Sequence, residues 1–387
     1  MCILTKLKLW TLSIAITLAL GCVLVALSLK MDTYVIDSRG QLVSEVSAEE
    51  YLVAHYGNDI NLAETKRIKT GIFIQSLKFF NSSEVNISGY IWQHFPIETY
   101  QNTADDDLVP GFILPEQVYT ASDSVLNFAY RKESCPTDAG LACRFGHEVI
   151  GWYFESTLKQ GFNYTKYPFD HKTVWVRFWP KEFSDNVILS PDFSAYKSTE
   201  VDAIFGIEQK IVLGAWIREN TYFDYKPSGY DTNFSISNYM GQKNFPELYY
   251  NFVVKRRFDN AFIIYMLHLF LVSVLLFAAL LTITDSPNHN VLLGFNATGF
   301  LGMCSALFFV VMIAHIQLRE QFSGSSVVYL EYFYILMYFL LVCSTINTYL
   351  FSIRPKIFQN IILYKDNIIP KICFWPFGLL AFCVFCS

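Results

Sequence analysis

Apolar runs and alternating runs divide the chain into three parts. The first apolar run, residues 9–29, reads LWTLSIAITLALGCVLVALSL and follows Lys6 and Lys8. Four more runs lie near residues 260–284, 291–316, 327–352 and 368–386. At 1.5 Å per residue, a run of about 20 residues crosses the ~30 Å apolar core of a bilayer. Residues 31–255 contain no such run. They show short period-two segments instead, among them TVWVRFWP (173–180) and KIVLGAWIREN (210–220). Turn-forming residues separate them, such as Pro191-Asp192 and Pro227-Ser228-Gly229. Many short alternating strands with turns between them predict an antiparallel β-sandwich. A short helix is expected near residues 44–56.

The predicted architecture is a membrane protein with an N-terminal anchor helix, an extracytoplasmic antiparallel β-sandwich and a four-helix transmembrane bundle. Its expected divisions are 1–30 (membrane anchor or signal), 31–64 (extension), 65–257 (β-sandwich) and 258–387 (helices). The first run continues past Cys22, which favours an uncleaved anchor over a cleaved signal. With Lys6 and Lys8 inside, counting spans puts the β-rich region outside and Arg354, Lys356 and Lys365 inside, as basic residues prefer. Lys255-Arg256-Arg257 then falls outside, against that preference, and needs a reason to be there.

Composition supports a lipid-embedded protein: 53% of residues are hydrophobic and only 16% charged, against roughly 25% charged in soluble domains. The net charge of −5 gives no sign of nucleic-acid binding. Most of the nine cysteines lie in apolar runs and read as small buried hydrophobes. Cys135 and Cys143 sit instead in a polar loop, and a disulfide is expected there if the loop faces an oxidising compartment. A metal site would need further ligands, with His147 the only candidate nearby, so neither metal nor cofactor is expected. No HExxH, GxSxG, phosphate-binding loop or paired-carboxylate motif appears, which argues against an enzyme.

The order of these segments resembles a subunit of a bacterial pentameric ligand-gated ion channel, a relative of the Cys-loop receptors. YPFD (167–170) looks like the family's signature turn, and YNFVVKRRF (250–258) like its last strand and basic junction. SGYIWQHF (88–95) is similar to the second strand. LFFVVMIAHIQLRE (307–320) and VVYLEYFYILMYFLL (327–341) are similar to the second and third channel helices. The resemblance covers roughly residues 65–386. The chain departs from it by lacking a proline in the first channel helix and an acid at the inner mouth of the second, where Asp285 is nearest. It also carries Pro376 in a short last helix.

The resemblance implies a homopentamer in a cell (inner) membrane, with a large domain on the periplasmic or extracellular side. A small-molecule ligand would bind between subunits and ions would pass through the pore. Gating coupling would fall to Tyr167, Pro168, Phe169, Asp170 and Arg256, with Asp170 beside Arg256 and Phe169 beside the 317–326 loop. Trp92, Phe193, Tyr222, Phe223 and Tyr225 are the candidate ligand aromatics, although taken singly each reads sooner as a core residue. A pore stripe would comprise Asn296, Gly299, Met303, Ala306, Val310 and Gln317. The same glycine-containing stripe could be a helix-packing seam. His268, His315 and Glu331 are ionisable residues at membrane depth and so candidates for function. A non-conducting membrane sensor or interaction protein on the same fold is the alternative.

Overall fold

The structure is a computed structural model. Its described residues are 2–58, 60–100, 103–118, 125–134, 146–181, 187–228, 230–236, 245–285, 296–322 and 326–386. By its internal contacts the chain forms two units. One is helical and holds Met1–Tyr34, Asn163–Asp170 and Arg256–Ser387; the other is β-rich and holds Val35–Phe162 and His171–Lys255.

The β-rich unit begins with α2 (Glu45–Tyr56), after the N-terminal helix α1 (Cys2–Met31). Ser44 caps α2 by accepting from Ser47 N at 3.1 Å, while Ser47 Oγ accepts from Ser44 N at 2.9 Å. This reciprocal arrangement satisfies donors that a helix start leaves open. Ala48, Leu52 and Tyr56, four residues apart, form its buried face. They join Leu42 and the strand residues in one core, so residues within the expected extension contribute to the centre of the unit.

Among the described residues nine strands follow: β1 (Lys66–Phe79), β2 (Glu84–Pro96), β3 (Phe112–Ile113), β4 (Val125–Ser134), β5 (His147–Lys159), β6 (His171–Pro180), β7 (Val187–Pro191), β8 (Trp216–Ser228) and β9 (Phe245–Arg256). They make a five-stranded sheet, ordered β4-β5-β2-β1-β7, and a four-stranded sheet, ordered β3-β6-β9-β8. The first sheet is mixed rather than antiparallel, because β7 runs parallel to β1 with Lys66 opposite Val187. A short edge strand reached by a long connection can pair in either direction, and local periodicity does not reveal which. In β6 burial alternates strictly, with Val174, Val176 and Phe178 facing the core. β9 is buried at every position from Phe245 to Val254, as suits a strand flanked by β6 and β8 and covered on both faces. The Trp92 indole lies across Gly71, its cross-strand partner. A Cβ at Gly71 would overlap that ring.

In the helical unit, α3 (Phe258–Thr282), α4 (Ala297–Gln321) and α5 (Tyr329–Ile353) are each long and apolar enough to cross a membrane, as is α1 over Lys6–Met31. The last helix, α6 (Ile368–Cys386), has a shorter apolar span, Ile368–Val384. The unit therefore has four helices of spanning length and one shorter apolar helix among the described residues. A π-helical turn, Phe262–Met266, interrupts α3. α4 follows directly on its cap residue Asn296. α1 packs on α6: Ser13 Oγ donates to Ile372 O at 2.5 Å, and Trp10 meets Phe277 of α3 edge-on. At one end of the helices Thr284 Oγ1 donates to Asp366 at 2.8 Å and Lys371 Nζ to Ile283 O at 2.5 Å. Arg354 pairs with Asp285 nearby.

Candidate functional site

The turn Asn163–Asp170 joins β5 to β6 in sequence, yet its contacts place it with the helices. Asn163 Oδ1 accepts from Thr165 N at 2.9 Å and from Thr165 Oγ1 at 2.8 Å, a local bond that favours a turn. Tyr167 N and Phe169 N close further turns onto Tyr164 O and Lys166 O, and the Tyr167–Pro168 peptide is cis. Two carbonyls of the turn then accept from the start of α5: Thr165 O from Tyr329 N at 2.8 Å and Tyr167 O from Leu330 N at 3.2 Å. A helix start has four N–H groups without intrahelical partners. Here Val328, Tyr329 and Leu330 are buried, so water cannot serve them and the turn does. Glu331 completes the cap, accepting from Val328 N at 2.8 Å.

Asp170 and Arg256 form a two-pronged pair, Nε to Oδ1 at 2.7 Å and Nη2 to Oδ2 at 3.2 Å. Arg256 N also donates to Asp170 O at 3.2 Å. The carboxylate side chain is 2% exposed and the guanidinium side chain 10%. Arg256 lies over the Tyr167 ring at 4.7 Å. Burial pushes the Tyr167 hydroxyl well above its ordinary pKa, only partly countered by Arg256. Phe169 stacks on Phe258 at 5.0 Å and meets Tyr329 edge-on. Tyr167 and Tyr164 contact Phe322, within the 317–326 loop, at 4.6 and 5.1 Å. Within the basic triplet it is Arg256 that meets Asp170, while Arg257 pairs with Asp259 at 3.1 Å.

The candidate ligand aromatics occupy different places in the β-rich unit. Phe223 is fully buried, and Tyr225 and Phe193 belong to the same core, while Tyr222 is half-buried. Tyr225 and Phe193 nevertheless contribute to the lining of a cavity of about 530 Å3 between α2 and strands β1 and β7. Trp92 Nε1 donates to Asp192 Oδ2 at 2.9 Å. His94 Nε2 lies 2.9 Å from the same oxygen, and Ser194 Oγ donates to Oδ1 at 2.6 Å. Burial alone would raise the Asp192 pKa, but the bonds from His94, Ser194 and Trp92 outweigh it and lower it to about 2. Asp192 thus fixes the His94 ring at the cavity wall.

Sequence reading did not single out a third cluster. Arg177 of β6 pairs with Glu116 and, at 3.3 Å, with Glu247 of β9. Its Nη1 donates to Tyr230 Oη at 3.1 Å, and Tyr230 donates to Glu247 at 2.8 Å. The guanidinium lies 5.2 Å from the Trp179 ring and 6.0 Å from that of Tyr249. Burial raises the Glu116 pKa despite Arg177. The four charged and phenolic residues are scattered over more than a hundred positions. Only the oddity of an arginine in an alternating apolar strand could have signalled them.

On α4 the buried face is Phe300, Cys304, Leu307, Val311 and Leu318. Of the stripe residues, Asn296, Gly299, Ala306, Val310 and Gln317 are exposed and Met303 is half-buried. Asn296 stands just outside the helix as its N-cap, accepting from Thr298 N at 2.9 Å. His315 stacks on Tyr334 and lies 3.6 Å from Glu331, which also meets Arg319 at 3.4 Å. His268 is exposed on α3. A second cavity, of about 350 Å3, lies among α1, α3, α5 and α6 and is almost wholly apolar. Cys135 and Cys143 lie outside the described residues. No group of three or more candidate metal ligands occurs among the described residues. No family model matches the chain, and no curated protein matches its sequence.

Proposed function

We propose that the chain is one subunit of a pentameric ligand-gated ion channel. In this reading the two sheets form the faces of an extracytoplasmic β-sandwich, and α3–α6 form a four-helix bundle with α4 lining the pore. A small molecule bound between subunits opens that pore to ions, in a cell membrane with the β-rich domain on its periplasmic or extracellular side. The observation that carries the reading is the turn Asn163–Asp170. A segment between two strands of the β-rich unit supplies backbone caps to the buried start of α5 and pairs its one acid with Arg256, the last residue of β9. A displacement of β6 or β9 is transmitted through the covalent chain to this clasp, and so to a membrane helix.

The test has two stages. Native mass spectrometry in mild detergent is expected to give a fivefold assembly, and monomers or dimers alone would sink the pentamer. Reconstitution into planar bilayers is then expected to give unitary currents. A pentamer that never conducts would favour the non-conducting sensor, a reading helped by the lack of an acid among the stripe residues of α4.

A further inference from the structure

We propose that the cavity beneath α2 is a binding site, within one chain, for a small zwitterion of the amino-acid class that carries an apolar side chain. Its volume of about 530 Å3 lies within the ~300–1,000 Å3 range of small-molecule sites. Two ion pairs tie α2 to β1 at its wall: Glu49 with Arg67 at 3.2 Å and Glu45 with Lys69 at 2.5 Å. All four residues line the cavity, and so do Phe193 and Tyr225. The aromatic side is rigid, because Tyr225 Oη donates to Leu189 O at 3.1 Å and Phe193 packs edge-on against buried Phe223.

The charge pattern selects the ligand class. Arg67 and Lys69 balance Glu45 and Glu49. A ligand with one charge gains a charged partner at one end only, and the more exposed glutamates add little discrimination of their own. A zwitterion exchanges partners without stranding either: its carboxylate takes Arg67 and its ammonium takes Glu49 or Glu45. The glutamates are more than half exposed, so the existing pairs are weak and exchange readily. Arg67 also holds a donor in reserve. Its Nη2 serves Glu49, while Nη1 is buried with no hydrogen-bond partner. Buried donors are rarely left unmade, and a carboxylate accepts from both arms of a guanidinium at once. The apolar side chain would lie against Phe193 and Tyr225.

The site is formed by one chain, so the inference does not depend on channel activity. The experiment is isothermal titration of the purified full-length protein in detergent with the twenty amino acids, supported by thermal shift. For phenylalanine, phenethylamine and 3-phenylpropionate serve as the singly charged counterparts, and each other hit is matched in the same way. At least one amino acid is expected to bind, with both singly charged counterparts at least about tenfold weaker. Arg67→Gln is expected to weaken binding by a similar factor while melting close to the parent protein. If that variant does not fold, Arg67→Lys, which keeps the charge and loses the two-armed donor, replaces it. Failure of all twenty to bind, a singly charged counterpart binding equally well, or binding indifferent to the Arg67 substitution would each overturn the proposal. Binding without any ionic current would leave it standing and remove the channel instead.

Discussion

Removing either member of the Asp170–Arg256 pair is predicted to destabilise the helical unit, but not equally. Breaking a buried ion pair costs about 3–5 kcal/mol, because the remaining charge is stranded. Asp170→Ala leaves Arg256 partly exposed and still over the Tyr167 ring, so the lower figure applies, about 3 kcal/mol. Arg256→Ala leaves a carboxylate that is 2% exposed and also removes the ring contact, itself worth about 0.5–2 kcal/mol. About 4 kcal/mol is expected for it. The double variant loses both charges and strands neither, so it should cost no more than Arg256→Ala. Independent effects would sum to about 7 kcal/mol, and the shortfall of about 3 kcal/mol is the coupling energy. The bond from Arg256 N to Asp170 O involves only backbone and is common to all variants. The assay is unfolding in mixed micelles of denaturing and mild detergent, followed by loss of helical circular dichroism. Arg256→Lys should recover only part of the loss, since an ammonium cannot make the two-pronged contact. If the proposed function holds, both single variants also lose the response to ligand while still binding it and assembling. Strict additivity of the two substitutions would refute the coupling.

Two further outcomes follow from single buried carboxylates. Asp192 has a folded pKa near 2, below its ordinary value of 3.8, so its stabilisation is present above about pH 4 and is lost as pH falls towards 2. The shift corresponds to about 2 kcal/mol, and Asp192→Asn should flatten that part of the melting-temperature curve between pH 2 and 6; an unchanged acid limb would remove Asp192 from the argument. Glu331→Gln keeps an acceptor for the buried Val328 N–H whereas Glu331→Ala does not, so alanine should be the worse by about 1–3 kcal/mol in the same unfolding assay; equal losses would assign the role of Glu331 to its charge instead.

Local features were legible in the sequence, and long-range pairings were not. The alternation in β6 announced a strand with one face in the core, and the apolar runs announced the long apolar helices. β9 carried no such alternation, because it is buried at every position from Phe245 to Val254. The parallel pairing of β7 with β1 joins segments more than a hundred residues apart, and no turn chemistry records it. α2 was visible as a helix, but its three buried positions gave no sign that they complete the core. Asp170 and Arg256 could be singled out because a basic triplet expected outside the membrane needed a partner. Asn296 is polar within an apolar stretch and so looked like a wet position inside a helix. The structure gives it the commoner duty of an N-cap. The Arg177 cluster stayed hidden, since Glu116, Tyr230 and Glu247 have nothing in common along the chain.

The exposed side of α4 bears most directly on whether the chain acts alone. Its buried side holds the large residues that pack within the helical unit. The opposite side presents Gly299, Gly302, Ser305 and Ala306 in succession, with Asn296 before them and Gln317 beyond. Lipid chains give such a surface little, because small residues offer few contact atoms and the Gln317 amide would find little in hydrocarbon to bond. Phe309, Val310, Ile313 and Ile316 are exposed on the same helix, and lipid would cover these well. The two stretches share one side of the helix at different heights, and they differ in what can satisfy them. Another helix brought close to the small residues, or water reaching the Gln317 amide, satisfies the first, and both arise when copies of the chain meet around α4. An assembly test therefore decides more than stoichiometry. A stable monomer would leave the small-residue side of α4 facing lipid, and would remove the physical reason for placing that helix at the centre of anything.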